Sequence, residues 1–429
     1  MQLNASFKGF PGHLAPVELS EVGAQDWHIL RGDLPFPLAI IKASSLNHNL
    51  HWMQNFCKER GLDIAPHGKT TMSPELYAMQ IKAGAWGISF ANVFQASMGA
   101  RHGVKRIIIA NQVYQSPDLD ALALLLATHS DLIVYFLIDS VAQIEAIEHW
   151  RAIRQSKTHF TVLLELGIDG KRTGCRDPAQ ALALARLIKS TQGLQLCGIE
   201  SYEGALATCD HVHDQTQVAA LMHRIQALAI ACEEENLFEH DEVLLTAGGS
   251  AIFDLVADNL KPHLQRPARG ILRSGCYLTH DHLQYRKMLQ CVGDRLQLRE
   301  TLKPSLEVIS SIRSCPEPGL ALLTMGKRDV SYDLDLPIPI WRANMGDSAV
   351  QAVPSHWHIE ALNDQHAYLR YDANAPLSEQ PQLGQMVGSG ISHPCTTFDK
   401  WRWMPVAVSY THLRAHETGR NLVCRLLLE

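Results

Sequence analysis

The stretch Leu62-Asp63-Ile64-Ala65-Pro66-His67-Gly68-Lys69-Thr70-Thr71 places a lysine just past the end of a short apolar run. Such a run reads as a buried strand. A lysine at the C-terminal end of a strand points into the mouth of an α/β barrel, where active sites of that fold sit. Partly removed from water, it loses its charge more readily and becomes a nucleophile able to form a Schiff base. The hexapeptide Pro66 to Thr71 fits a solvated loop lysine equally well, so the surrounding chain decides.

From Pro37 to about residue 275, short apolar runs alternate with amphipathic segments. The strand candidates are Leu38 to Ile41, Leu62 to Ala65, Trp86 to Ala91, Ile107 to Asn111, Ile133 to Asp139, Thr161 to Leu166, Leu196 to Ser201 and Val243 to Ala247. Helix-like stretches between them include Leu46 to Arg60, Val141 to Ile153 and Gln217 to Glu234. Eight such alternations predict a (β/α)8 barrel over residues 37–280. A further run, Gly270 to Ser274, is one strand too many and is expected to leave the barrel for the next domain.

Beyond about residue 290 helical periodicity fades. Short β-like runs at Leu306 to Ile312, Leu320 to Met325, His356 to Leu362, Ala367 to Tyr371 and Gln385 to Val387 are separated by turn-rich segments. They predict a smaller all-β domain over residues 281–407. Residues 1–36 carry little helix pattern and are expected to join it.

The 429 residues are 46 % hydrophobic and 19 % charged, enough apolar content for a sizeable core and too much for global disorder. A net charge of -6 without a basic block argues against nucleic acid or an anionic membrane as the main partner. No apolar stretch approaches the length of a membrane span, and residues 1–20 lack a secretory pattern. Ten scattered cysteines fit a reduced, cytoplasmic protein better than a disulfide framework.

Several polar or glycine-rich positions fall at the same strand ends as Lys69: Asn111, Arg172 in Gly167 to Gly174, Tyr202 with Glu203, and Thr246-Ala247-Gly248-Gly249-Ser250. The glycine turn lets backbone approach a ligand closely, and the helix it opens offers unpaired N–H groups to an anion. It reads equally as an ordinary serine N-cap. Combined with a Schiff-base lysine it suggests pyridoxal phosphate (PLP), which needs an amine partner and a phosphate cradle. Arg273-Ser274-Gly275-Cys276-Tyr277 is placed to close the other side. Separately, His393 and Cys395 project to one side of an extended chain and form a zinc-type donor pair, with His366 a candidate helper. A lone His-x-Cys also has structural uses, and spacing leaves both readings open.

In combination and order, Pro66 to Thr70, the Arg172-Thr173-Gly174 turn, Tyr202-Glu203-Gly204, Thr246 to Ser250, Arg273 to Tyr277, Asp364-Gln365-His366 and His393-Pro394-Cys395 resemble the D-serine dehydratase-like branch of the alanine racemase N-terminal superfamily. The resemblance runs from about residue 30 to 405. It implies a fold-type III PLP enzyme, an α/β barrel with a metal-carrying β domain, assembled as a homodimer. By motif match Lys69 is the Schiff-base and catalytic residue. Arg172, Tyr202, Thr246, Gly248, Gly249, Ser250 and Tyr277 bind the cofactor, and His393 and Cys395 bind Zn2+. The implied reaction is elimination from a small D-β-hydroxy amino acid, D-serine first, giving pyruvate and ammonia. Retro-aldol cleavage of D-threonine, dehydration of D-threo-3-hydroxyaspartate, and a non-catalytic PLP carrier are the alternatives. Residues 408–429 resemble adapter read-through rather than the family's closing strand, and are expected to lie outside the functional fold.

Overall fold

The computed structural model describes residues 2–408 and the backbone alone of 422–424. Its strands are labelled in chain order: β1 Leu38–Lys42, β2 Asp63–Ile64, β3 Ile88–Phe90, β4 Arg106–Gln112, β5 Ile133–Ile138, β6 Phe160–Leu166, β7 Leu194–Ser201, β8 Val243–Ala247 and β9 Ala268–Leu272. The order β2-β9-β8-β7-β6-β5-β4-β3 forms an eight-stranded parallel sheet. Its ends meet: Trp86 N–H donates to the Ile64 carbonyl (2.9 Å) and Ser89 N–H to that of Pro66 (2.8 Å). Alternate residues fill two cores. Ile108, Tyr135, Leu137, Leu163, Cys197, Leu244 and Ile271 cluster with Ala65 inside the curled sheet, while Ile107, Ile109, Val134 and Phe136 pack outward under the helices. Side-chain caps start the surrounding helices: Ser73 for Pro74–Lys82, Asn92 for Val93–Arg101, Asp177 for Pro178–Ser190 and Asp210 for His211–Glu234.

Two strand assignments change. The run Leu38 to Ile41 is β1, and it is not a barrel strand. It pairs antiparallel with β10 (Leu306–Glu317), Leu38 opposite Ile309 and Ile41 opposite Leu306. The run near Gly270, expected to leave the barrel, is β9 and closes it beside β2. Both are short apolar runs followed by helix or turn. Their sheet is decided by pairing partners hundreds of residues away.

The second unit holds β10, β11 (Leu320–Leu323), β12 (Ile338–Ala343), β13 (His358–Leu362), β14 (Ala367–Arg370), β15 (Met386–Gly390) and β16 (Trp403–Ala407). The N-terminal half of β10 pairs with β15 and β1, and its C-terminal half with β11, so one long strand runs between two sheet regions. β12 escaped the sequence reading, which took the segment around Pro337 as turn-rich; Pro339 sits at a register shift against β15, where a missing N–H is tolerated. The helix Gln284–Leu296 precedes these strands. Residues near the N-terminus, among them Phe7, Phe10, Trp27 and Leu30, form a core with Leu38, Ile40, Ile309, Trp341 and Trp403.

A closing strand is present: β16 runs parallel to β1, Val406 opposite Ile41. Of the segment read as an adapter-like tail, 409–421 and 425–429 lie outside the described residues. The backbone of Leu422–Cys424 pairs antiparallel with β16.

The Lys69 turn is wedged from below. A Cβ on Gly68 would meet Phe90 at 2.6 Å, Ile88 at 2.7 Å and Tyr77 at 2.9 Å, and the Tyr77 hydroxyl donates to the Gly68 carbonyl at 3.0 Å. Gly68→Ala should therefore cost about 1–3 kcal/mol from overpacking, read as a lower midpoint in chemical denaturation. An unchanged midpoint would show that the turn is loosely held.

Candidate active site

The parallel strands end together, and their C-terminal ends surround a cavity of about 200 Å³. Lys69 enters from the single turn Gly68–Thr70 after β2. Among the described residues nothing pairs with its ammonium. Asn111 lines the wall, its amide donating to the Ala91 carbonyl at 2.8 Å. Arg172, from the loop after β6, lies over the Tyr202 ring at 4.2 Å from its centroid. Gly249 and Ser250 line the same cavity, as do His393 and Cys395 from the second unit. The fold thus brings Lys69, Arg172, Tyr202, Gly249, Ser250, His393 and Cys395 together.

Three predicted cofactor residues face elsewhere. Tyr277 is buried outside the barrel, its hydroxyl accepting from Gln80 at 3.1 Å. The Thr246 hydroxyl donates to the Ile271 carbonyl at 2.9 Å. The Gly248 and Gly249 N–H groups, read as a phosphate cradle, already donate to the two oxygens of buried Glu203 at 2.8 and 2.6 Å. Gly248 adopts φ 94°, a conformation that suits glycine, which lets both amides converge on that carboxylate. Ser250 and the Gly275 turn line the cavity at this end. There a Cβ would meet His67 Cβ at 2.6 Å and Thr70 Oγ1 at 2.9 Å, so only glycine fits. His366 occupies the tight turn joining β13 to β14, where its carbonyl accepts from Asn363, and it does not reach the cavity.

Several charged groups went unread. Glu165 and Glu200 are the single carboxylates of β6 and β7, each near the strand's end, a pattern the sequence did display. Glu165 takes hydrogen bonds from Thr173 (2.8 Å) and Gln112 (2.5 Å). Burial raises its pKa against those bonds. Glu200 pairs with Arg273, and both are buried. Burial pushes Glu200 up to about 8, against the pull of Arg273. Arg273 Nε and Glu200 Oε2 remain without partners among the described residues, as does His67 Nδ1. Burial, with Arg273, Lys69 and Arg172 nearby, holds His67 well below its ordinary pKa, so its ring is neutral.

At the opposite wall, Cys395 Sγ lies 3.5 Å from Thr70 Oγ1, the residue next to Lys69. It also lies 3.8 Å from Cys276 Sγ. The His393 Nδ1 faces Asp333 at 2.6 Å, and Thr396 donates to the other Asp333 oxygen at 2.8 Å. Burial disfavours a charged His393 ring, but hydrogen bonds to Cys395 and Asp333 outweigh it and raise its pKa to about 9. The Cys276 hydrogen bond, with those from His393 and Thr70, holds the Cys395 thiol well below its ordinary range despite burial. Hydrogen bonding to Cys395 and burial hold Cys276 well above it. The nine described cysteines are all free.

His393 and Cys395 suit a borderline-soft ion such as zinc. The Asp333 contact at Nδ1 is the carboxylate brace that metal-bound histidines use, leaving Nε2 for the ion. Among the described residues no group of three or more His, Cys, Asp or Glu side chains is placed, as it stands, to hold a metal ion.

Residues 41–281 match the model of the alanine racemase N-terminal domain, and residues 305–407 that of a serine dehydratase domain. The chain belongs to the alanine racemase N-terminal domain family. It therefore has the PLP-dependent fold of that family. It is 23 % identical to a D-threonine aldolase from Arthrobacter sp. over 85 % of this chain and 86 % of the relative. A D-threo-3-hydroxyaspartate dehydratase from Delftia sp. is 30 % identical over 40 % of this chain and 44 % of its own. The crystal structure of a D-threonine aldolase from Filomicrobium marinum superposes with a TM-score of 0.71 at 21 % identity, covering 87 % of this chain and 92 % of that one. No described helix is long and apolar enough to cross a membrane.

Glu203→Gln should destabilise the fold by about 1–3 kcal/mol, because one of the two buried glycine N–H groups then faces an amide donor. Urea titration of the variant measures this; a cost near zero would mean the turn finds other acceptors.

Proposed function

We propose that this chain is a PLP- and zinc-dependent dehydratase of small D-β-hydroxy amino acids, converting D-serine to pyruvate and ammonia. One observation carries the reading: the Cys395 thiol of the second unit rests against Thr70, beside Lys69. An amine and a soft metal-donor pair thereby share one cavity. Elimination of hydroxide needs both, a base for the α-proton and help for a poor leaving group.

The residues present fit both groups. Lys69 would hold PLP covalently, Ser250 and the Gly275 turn would take its phosphate, and Arg172 and Tyr202 would flank its ring. Bound there, PLP supplies an electron sink for negative charge at Cα. The Lys69 amine would take the proton from Cα. The neutral His67 ring offers no competing positive charge beside it. His393 and Cys395 would hold zinc, whose Lewis acidity assists departure of the β-hydroxyl. Asp333 orients the His393 ring for that task. The serine dehydratase domain match over residues 305–407 covers this donor pair.

Retro-aldol cleavage is the second reading, favoured by the wide coverage of the aldolase relative. A thiolate donor at 395 suits zinc better than the harder magnesium or manganese, which favours the dehydratase.

The deciding assay supplies D-serine and D-threonine with zinc added or chelated. Pyruvate from D-serine, lost on chelation and restored by zinc, is the expected result. Glycine and acetaldehyde from D-threonine, without pyruvate from D-serine, would install the aldolase reading.

Lys69→Ala should lower turnover by about 10³-fold or more. Borohydride reduction of the wild-type protein followed by peptide mass mapping should find the cofactor on Lys69. Cofactor attached to another lysine would remove Lys69 from this role.

A further inference from the structure

Catalytic zinc sites ordinarily have three protein ligands and one open position. His393 and Cys395 supply two. The cavity wall holds one more soft donor, in contact with Cys395: Cys276, on the segment that follows β9. Its sulfur is 3.8 Å from that of Cys395. Two thiolates each ~2.3 Å from one zinc at a tetrahedral angle are separated by about 3.8 Å, so the two sulfurs already stand at the spacing of a shared zinc. Cys395 is the common member of both close pairs, with His393 on one side and Cys276 on the other.

The surroundings match a ligand more than a packing residue. Cys276 N–H donates to Ser250 Oγ at 3.1 Å, which anchors its backbone at the floor of the cavity. The residue is buried, and its sulfur has polar neighbours at this wall: Cys395, Thr70 at 4.0 Å and Tyr285. It comes from the barrel, whereas His393 and Cys395 come from the β domain.

We propose that Cys276 is the third protein ligand of the zinc ion. This rests on the reading of His393 and Cys395 as metal donors and extends it to a Cys2His set with one position left open for the substrate hydroxyl. On binding, the Cys276 thiol proton passes to solvent and its sulfur lone pair binds the ion, with no change of oxidation state. The metal then ties the barrel to the β domain across the active site, so metal occupancy and alignment of the two units become coupled.

The test uses the PLP-loaded enzyme, stripped of metal and reloaded with cobalt(II) or zinc. Cobalt reports each thiolate through a sulfur-to-metal charge-transfer band. The wild type should show the intensity of two thiolates per cobalt, and Cys276→Ser and Cys395→Ala that of one or less. Zinc affinity of Cys276→Ser, measured against a chromophoric chelator, should fall about tenfold or more. X-ray absorption at the zinc edge of the wild type needs no variant and should count two sulfur neighbours at ~2.3 Å. One sulfur neighbour, with Cys276→Ser keeping full affinity and cobalt intensity while Cys395→Ala loses both, would overturn the Cys276 ligand and leave the His393–Cys395 reading standing. No stoichiometric metal binding by the wild type would overturn both.

Discussion

Two residues, Asp63 and Ile64, hold the barrel shut. Their strand is the shortest in the sheet, yet it contacts both neighbours. Ile64 stands opposite Leu272 on one side, and its carbonyl takes the Trp86 N–H on the other. The Asp63 carboxylate is gripped by Arg269, which also binds Glu242 at 2.7 Å. This closure sets where the chain emerges at Ala65, and so where the Lys69 turn sits. Because β9 occupies the place beside β2, β1 has no room in the barrel and is free to seed the second sheet.

That displaced strand is what joins the two units. β1 pairs with β10 and β16, then runs directly into the barrel helix Ala43–Glu59. Lys42 at the junction is bonded at 2.5 Å to the fully buried Glu307 of β10, which also accepts from the Trp341 indole at 2.8 Å. A buried carboxylate held by a lysine on one side and an indole on the other is costly to separate. The β domain is thereby registered against the barrel, and the short helix Pro394–Phe398 after β15, with His393 as its N-cap, delivers His393 and Cys395 to the rim of the cavity.

Inside the cavity the carboxylates are divided by their partners. Glu203 serves the glycine turn, Glu200 serves Arg273, and Glu165 serves the loop carrying Thr173. These bonds brace the strand ends around the space where Lys69, Arg172 and Tyr202 meet. Among the described residues, Arg273 Nε and Glu200 Oε2, on the inner wall, and His67 Nδ1 beside them are buried without a partner. These are polar atoms that a bound cofactor or substrate could satisfy.

Much of this was legible in the chain alone. Alternating apolar runs and amphipathic helices specify a barrel because parallel strands buried on both faces must be apolar throughout. Lysine, arginine, tyrosine and serine at their C-terminal ends announce a site because that end carries the loops. What local pattern could not express was pairing. Leu38 to Ile41 and Ile271-Leu272 have the same texture, and only partners at Leu306–Ile309 and Asp63–Ile64 assign them to different sheets. The glycine turn at 248–249 looked free to bind an anion, and only the fold brings Glu203 up to fill it. Tyr277 shared a motif with Cys276 yet turned to Gln80, because adjacent residues leave the backbone in different directions. Likewise, nothing in the spacing of residues 276, 333 and 393–395 joins them. Their meeting depends on two sheets docking, a tertiary event decided by buried contacts far apart in the chain.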